Sequence, residues 1–174
     1  MEHSAGENKL RVSLIGLGSM GTAMAHRLLD QGFDVDLWNR SPKEIGDLLD
    51  KGARKVELNQ ALQNDFVISM LSNDAASLAV FSAENLGLAK PGIIHLNMST
   101  LSTSASRELA GLHAKHEIGY VAAPVLGRPI AITNGKLLIV AAGDAKTIES
   151  ARVVFEKVSA QFWNVGEDHS KSNL

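Results

Sequence analysis

The chain has 174 residues, 45% of them apolar, and a formal net charge of −2, so it can form one substantial core but presents no basic face for nucleic acid or anionic lipid. It has no cysteine, which excludes disulfides, thiolate catalysis and cysteine-based metal sites. The segment Met1–Lys9 lacks the apolar stretch of a signal peptide, and no apolar run is long enough to span a bilayer. We therefore expect a cytoplasmic protein without membrane or nucleic-acid partners.

Short apolar strands alternate with longer amphipathic helices in this sequence, which is typical of βαβ units. The first half predicts four strands, Arg11–Ile15, Asp34–Trp38, Phe66–Leu71 and Ile93–Asn97. Between the first two strands it predicts a helix Ser19–Gln31, ended by Gly32. A second helix is predicted to begin at the capping box of Ser41, Pro42 and Glu44, and a third covers Asp74–Phe81. The second half predicts a helix Ser102–Lys115, strands Tyr120–Val125 and Leu137–Ala142, a helix Lys146–Ser159 and a strand Gln161–Val165. The pattern indicates an α/β fold of Rossmann type, with a doubly wound, mostly parallel sheet and helices on both faces.

A glycine-rich segment lies directly between the first predicted strand and the first helix. Its residues are Gly16, Leu17, Gly18, Ser19, Met20 and Gly21, in the spacing G-x-G-x-x-G. At this position the first glycine permits a tight turn, the second lets the backbone approach a diphosphate, and the third lets helix and strand pack closely. The free N–H groups at the helix N terminus then face the diphosphate. The segment predicts a dinucleotide site.

The end of the second strand predicts which dinucleotide is bound. An NAD site usually has Asp or Glu here to bind the ribose 2′-hydroxyl. This chain has Asn39, Arg40 and Ser41 instead, with Lys43 close by. Arginine attracts a 2′-phosphate, and neutral donors add to it, whereas a carboxylate would repel it. The sequence therefore favours NADP(H) over NAD(H); the alternative is an Arg40 that only meets solvent.

Two further loops follow strands at the same edge, where ligands of open α/β sheets bind. One contains Met70, Leu71 and Ser72, and the other contains Ser99 and Thr100. We expect the first three residues to border the cofactor, and Ser99 to donate to a substrate. Thr100 either contacts the nicotinamide end or caps a helix. Asp74 and Ser102 are predicted to be helix caps.

The spacing of the histidines does not predict a metal site. His113 and His116 are three residues apart on a predicted helix, but no third metal ligand is evident. We expect both to lie on a solvated helix face. No metal site and no nucleophilic triad are predicted.

Taken together, these motifs resemble the β-hydroxyacid dehydrogenase family. That family includes 3-hydroxyisobutyrate dehydrogenase and, more distantly, 6-phosphogluconate dehydrogenase and imine reductases. The resemblance runs from about Arg11 to the end of the chain, through GLGSMG, LWNRSP, SMLSND, NMST, AAPVLG and GKLLIVAAG. It implies a hydride transfer between NADPH and a small carbonyl or β-hydroxyacid substrate. It also assigns the glycine loop to the diphosphate, the Asn39–Ser41 segment to the 2′-phosphate, and Thr100 to the nicotinamide end.

The resemblance places a substrate loop after Pro124, and here the chain departs from the family pattern. Hydroxyacid members typically read D-A-P-V-S-G-G, whereas this chain has Leu126, Gly127 and Arg128 after Val125. The serine that would donate to a carboxylate is thus replaced by Leu126, and Arg128 either compensates with its charge or is simply exposed. A less polar carbonyl or an imine becomes the alternative substrate class.

The resemblance also predicts the domain organisation. We expect a flexible arm over residues 1–10, an NADP-binding domain over 11–166, and over 167–174 the start of a linker or helix to a C-terminal helical domain. In the family a lysine in a K-x-x-x-N arrangement on that helix assists hydride transfer. Lys171 precedes that position, so no catalytic residue is expected in this chain, and the full-length form is expected to be a homodimer. The rival hypothesis is a naturally short, non-catalytic NADP(H)-binding module.

Overall fold

A computed structural model describes residues 9–173, so most of the predicted arm over residues 1–10 lies outside the described residues, as does Leu174. Among the described residues, no helix combines the length and the apolar character that crossing a membrane requires.

Six parallel strands form the main sheet. They are β1 Arg11–Ile15, β2 Asp34–Trp38, β3 Arg54–Lys55, β4 Phe66–Ser69, β5 Ile94–Asn97 and β6 Gly119–Ala122. Their order in the sheet is β3-β2-β1-β4-β5-β6, so the direction of winding reverses between β1 and β4. This is the Rossmann order, which confirms the predicted fold. The reversal opens a crevice at the carboxyl ends of β1 and β4, the place where such sheets bind ligands.

Eight α-helices are described along the chain, and a 3₁₀-helix covers His169–Asn173 near its end. The α-helices are α1 Ser19–Asp30, α2 Gly46–Asp50, α3 Leu58–Ala61, α4 Asp74–Val80, α5 Ala83–Leu86, α6 Thr103–Lys115, α7 Pro129–Thr133 and α8 Ala145–Val158. The apolar sides of α1 and α8 bury residues such as Met24 and Phe155 in one core. Residues such as Leu109 of α6 and Phe81 belong to a second core. The sheet is therefore covered on both faces.

The predicted end of α1 at Gly32 is confirmed. Gly32 has a φ of 87°, in the left-handed region. Its N–H donates to the Leu29 carbonyl (3.0 Å), and the Phe33 N–H donates to the Leu28 carbonyl (3.1 Å). This is a Schellman motif, which satisfies two carbonyl groups that the helix end would leave unpaired.

A second, three-stranded sheet contains β7 Val125–Leu126, β8 Leu138–Ala141 and β9 Gln161–Asn164. The single strand predicted over Tyr120–Val125 is therefore wrong, because β6 ends at Ala122 and β7 pairs antiparallel with β8. Pro124 between them has no N–H with which to continue a ladder. Its carbonyl instead accepts from the Val140 N–H (3.2 Å), which directs the chain into the second sheet.

The helix predicted to begin at Ser41 is also wrong. The segment from Ser41 to Ile45 is irregular, and α2 begins only at Gly46, without a side-chain cap. The Ser41 carbonyl accepts from Nδ2 of Asn39 (2.8 Å), which holds the segment as a loop. A cap is worth about 1 kcal/mol, so tertiary contacts of this kind readily override it.

Candidate functional site

The glycine loop brings the N terminus of α1 against the ends of β1 and β4. Gly16 has a φ of 98°, and a Cβ there would overlap the carbonyl oxygen of Met70. A Cβ on Gly21 would overlap the carbonyl oxygen of Gly16. Because both neighbours are backbone atoms, a side chain at either position would push α1 away from the sheet. Only glycine permits this approach.

The N terminus of α1 is open. Its N-cap is Gly18, and no side chain caps the helix. The first amides of a helix have no partner within the helix, so the N–H groups of Ser19 and Met20 are available to a ligand. Other helices of the fold use a side chain for this purpose, with caps at Asn73, Ser82, Ser102 and Asp144. The open end carries the positive pole of the helix dipole, which favours an anion.

A cavity of about 880 Å³ lies directly over this helix end. It is lined by every residue predicted to bind the cofactor: Gly16, Leu17, Gly18, Ser19, Met20, Gly21, Asn39, Arg40, Ser41, Lys43, Met70, Leu71, Ser72 and Thr100. Four separate loops of the sequence thus meet at one space, whose volume lies in the range of ligand sites.

The loop after β2 is tied to the glycine loop by one amide side chain. Oδ1 of Asn39 accepts from the Leu17 N–H (2.9 Å), and its Nδ2 donates to the Ser41 carbonyl. Asn39 therefore holds this loop in place through hydrogen bonds within the protein. The sequence predicts it only as a donor to the 2′-phosphate. Arg40 and Lys43 are exposed at the cavity, and no Asp or Glu of the described residues lines it. The electrostatics of this end favour an anion.

The loops after β4 and β5 are held together by Ser99. Its Oγ accepts from the Leu71 N–H (2.8 Å), and its N–H donates to Oδ1 of Asn97 (3.0 Å). Ser99 is 5% exposed and lines the cavity, while Thr100 is exposed at its wall. Ser99 thus acts as a brace between the two loops, and only its hydroxyl hydrogen is left to donate.

One of the two predicted caps near these loops is confirmed and the other is wrong. Ser102 caps α6 by accepting from the Ala105 N–H (3.1 Å). Asp74 is not the cap of α4, because Asn73 accepts from the Ala76 N–H (2.8 Å) in that role. The Asp74 carboxylate instead accepts from the Ser102 hydroxyl (2.6 Å), which holds the pKa of Asp74 below its usual value.

The predicted substrate residues are only partly brought together. Gly127 and Ser99 line the cavity, together with Val125. Leu126 and Arg128 are not among the lining residues: Leu126 is 57% exposed on β7, and Arg128 is the exposed N-cap of α7.

Several lining residues were not predicted. They are Trp38, Leu58, Ala76, Ala79, Val80, Asn85, Met98 and Val125. Ala76, Ala79 and Val80 share the three- and four-residue spacing of one helix face, so periodicity could have identified them. Leu58 and Asn85 come from helices of four residues, which are too short to show a period.

The expectation of a solvated histidine face is wrong for His113, which is fully buried. Its Nδ1 is 2.7 Å from the Leu109 carbonyl, which can only accept, so this nitrogen has the proton. Nε2 of His113 then accepts from Nδ1 of His95 (2.8 Å), and Nε2 of His95 accepts from the Ser69 hydroxyl (2.6 Å). Both imidazole rings are neutral in this series of hydrogen bonds. Burial lowers the pKa of His113 to about 4 and that of His95 well below its usual value.

No group of three or more His, Cys, Asp or Glu side chains within residues 9–173 is arranged to hold a metal ion. The imidazole pair is packed against aromatic rings, with Phe81 stacked on His95 at a centroid distance of 3.8 Å. It is therefore part of the core.

A family model described as the NAD binding domain of 6-phosphogluconate dehydrogenase matches residues 11–166. The chain is 36% identical over 169 residues to the uncharacterized oxidoreductase YfjR of Bacillus subtilis, covering 94% of this chain and 59% of that protein. It is 32% identical over 146 residues to the "Probable 3-hydroxyisobutyrate dehydrogenase-like 2, mitochondrial" of Arabidopsis thaliana, covering 82% and 49%.

Among solved structures, an imine reductase from Pseudomonas sp. superposes with a TM-score of 0.87 at 27% identity, covering 94% of this chain and 57% of that one. The chain thus spans between 49% and 59% of the length of these three relatives, so the similarity extends over only part of each.

Proposed function

The chain belongs to the family of NAD-binding domains of 6-phosphogluconate dehydrogenase, and from this premise we propose that it holds NADP(H) for an oxidoreductase of the 3-hydroxyisobutyrate dehydrogenase-like group. The observation that supports the phosphorylated cofactor is the charge at the end of β2. Arg40 and Lys43 line the cavity where NAD-specific sites have a carboxylate, and no described Asp or Glu lines it.

In this proposal, different residues of the cavity bind different parts of the cofactor. The open N–H groups of Ser19 and Met20 bind the diphosphate, and Arg40, Ser41 and Lys43 bind the 2′-phosphate. The brace formed by Ser99 fixes the wall on which Thr100 meets the nicotinamide end. The bound nicotinamide supplies the hydride chemistry, so the chain contributes binding and orientation.

The cofactor preference is tested by fluorescence titration with NADPH and NADH. We expect NADPH to bind about 10- to 100-fold more tightly, because a phosphate contact that NADH cannot make is worth about 1–3 kcal/mol. Arg40→Gln should remove most of this difference and leave NADH affinity almost unchanged. Equal affinities for both cofactors in the wild-type chain would exclude the proposed role of Arg40.

We further propose that the proton donor of the reaction comes from residues outside this chain, and that the full-length protein is a cytoplasmic homodimer. The described cavity has Arg40 and Lys43 at its 2′-phosphate end, but no Lys, His, Asp or Glu of the described residues lines it near Thr100. The purified 174-residue chain is therefore expected to bind NADPH without steady-state reduction of aldehydes or cyclic imines. Measurable turnover by this chain alone would contradict the assignment.

The substrate class has two candidates. A small carbonyl or β-hydroxyacid substrate follows from the family. Leu126, where the family pattern has a serine, lies outside the cavity, so this position offers no hydroxyl to a carboxylate, which favours a less polar carbonyl or an imine. Assaying the full-length protein against both classes separates them. A non-catalytic binding module is the third candidate; it would bind NADPH and remain inactive even at full length.

A further inference from the structure

A second cavity, of about 150 Å³, adjoins the 2′-phosphate end of the main one. The two share Leu17, Asn39, Arg40, Ser41 and Lys43, and the smaller cavity is also lined by Lys55 of β3, which does not line the main one. Lys55 is not part of any motif in the sequence. Its place is decided by the sheet.

The register of β3 directs Lys55 to this side. β3 has only two residues, and successive side chains of a strand point to opposite faces. Arg54 pairs in register with Asp36, and its Nε donates to the Asp36 carboxylate (2.8 Å). Asp36 is 4% exposed and also accepts from Asn64 (2.8 Å), so Arg54 is firmly held on its face. Lys55, in register with Leu37, must project to the opposite face.

Three cations therefore surround the space after β2. Arg40, Lys43 and Lys55 all line the smaller cavity, and no Asp or Glu of the described residues lines it. None of the three forms an ion pair with a carboxylate within residues 9–173. Like charges gathered without a counter-charge repel one another, so the arrangement favours binding of a compact anion of high charge.

We propose that Lys55 is a third cation of the 2′-phosphate site and a determinant of cofactor specificity. A phosphate monoester has a charge between −1.5 and −2 at about pH 7, which more than one cation can share. The inference rests on the proposed function, because it needs NADP(H) as the ligand. The strand β3, with Arg54 held by Asp36, then becomes part of the specificity site.

The test compares Lys55→Gln with Lys115→Gln. Both variants remove one positive charge and so change the net charge equally. Lys115 ends α6 and lines neither cavity, which makes it the control. Lys55→Gln is expected to raise the Kd for NADPH about five- to tenfold and to leave that for NADH unchanged, as is typical of one charge-assisted contact. It should also weaken the dependence of NADPH affinity on salt, since one screened ion pair is lost. Lys115→Gln should bind both cofactors as the wild type does.

The outcomes separate the two proposals. If the wild-type chain does not prefer NADPH, both the proposed function and the role of Lys55 are overturned. If the wild type prefers NADPH and Arg40→Gln removes the preference, but Lys55→Gln behaves like Lys115→Gln, only the role of Lys55 is overturned. Lys55→Arg retains the charge and should retain the preference, and a loss in this variant also contradicts the proposal. Unchanged thermal unfolding of each variant shows that the fold is intact.

Discussion

Replacing Gly21 by alanine is expected to lower the free energy of unfolding by about 3 kcal/mol, at the upper end of overpacking effects, and to abolish dinucleotide binding. The added Cβ would overlap the carbonyl oxygen of Gly16, which is backbone and cannot rotate away. Alanine is the better helix former by about 1 kcal/mol, but this gain is smaller than the clash. Urea unfolding and NADPH titration measure the two effects.

Gly18→Ala is the matched control, because it separates stability from binding. Gly18 has a φ of −70°, which any residue adopts, and a Cβ there meets no atom within 4 Å. We expect a loss of less than about 1 kcal/mol in stability, since alanine is only a poorer N-cap. Because Gly18 lines the cavity, its methyl group should still weaken NADPH binding, by about tenfold if it disturbs one diphosphate contact. A Gly21→Ala variant as stable as Gly18→Ala would contradict the packing argument.

Acid is expected to destabilise the protein between pH 6.5 and 4 through the buried histidine pair. The pKa of His113 falls from 6.5 to about 4 on folding, so the unfolded chain binds more protons in this range and stability declines as the pH falls. This shift alone corresponds to about 3 kcal/mol at pH 4. His95, whose pKa is also lowered, acts in the same direction. Urea unfolding at a series of pH values measures the slope.

His113→Gln removes one titrating group and should flatten the dependence of stability on pH. The variant should also be less stable at pH 7, because the hydrogen bonds of His113 to Leu109 and His95 are altered. The carboxylate of Asp74 has a lowered pKa, so its contribution to stability is lost only as the pH falls below the usual value of 3.8, outside this window. A wild-type stability that is constant from pH 6.5 to 4 would contradict the buried, neutral pair.

The fold class, the family and the loops that line the cavity all follow from the amino-acid sequence. The family resemblance is confirmed by the match over residues 11–166. These features are local: a glycine loop between a strand and a helix, and polar loops after apolar strands, are contiguous in the chain, and parallel strands place their carboxyl ends at one edge. All predicted cofactor residues accordingly line one cavity, while their contacts with NADP(H) remain a prediction.

Features that depend on partners distant in sequence become visible only in the folded protein. Asn39 bonds to Leu17 across 22 residues and holds as a loop a segment whose local signals favour a helix. His113 meets His95 on another element, so its spacing along α6 said nothing about its burial. Lys55 lines the smaller cavity from the strand face opposite Arg54, which is held by Asp36, 18 residues earlier. Local propensities are worth about 1 kcal/mol or less per residue, so a few long-range hydrogen bonds and packed side chains outweigh them.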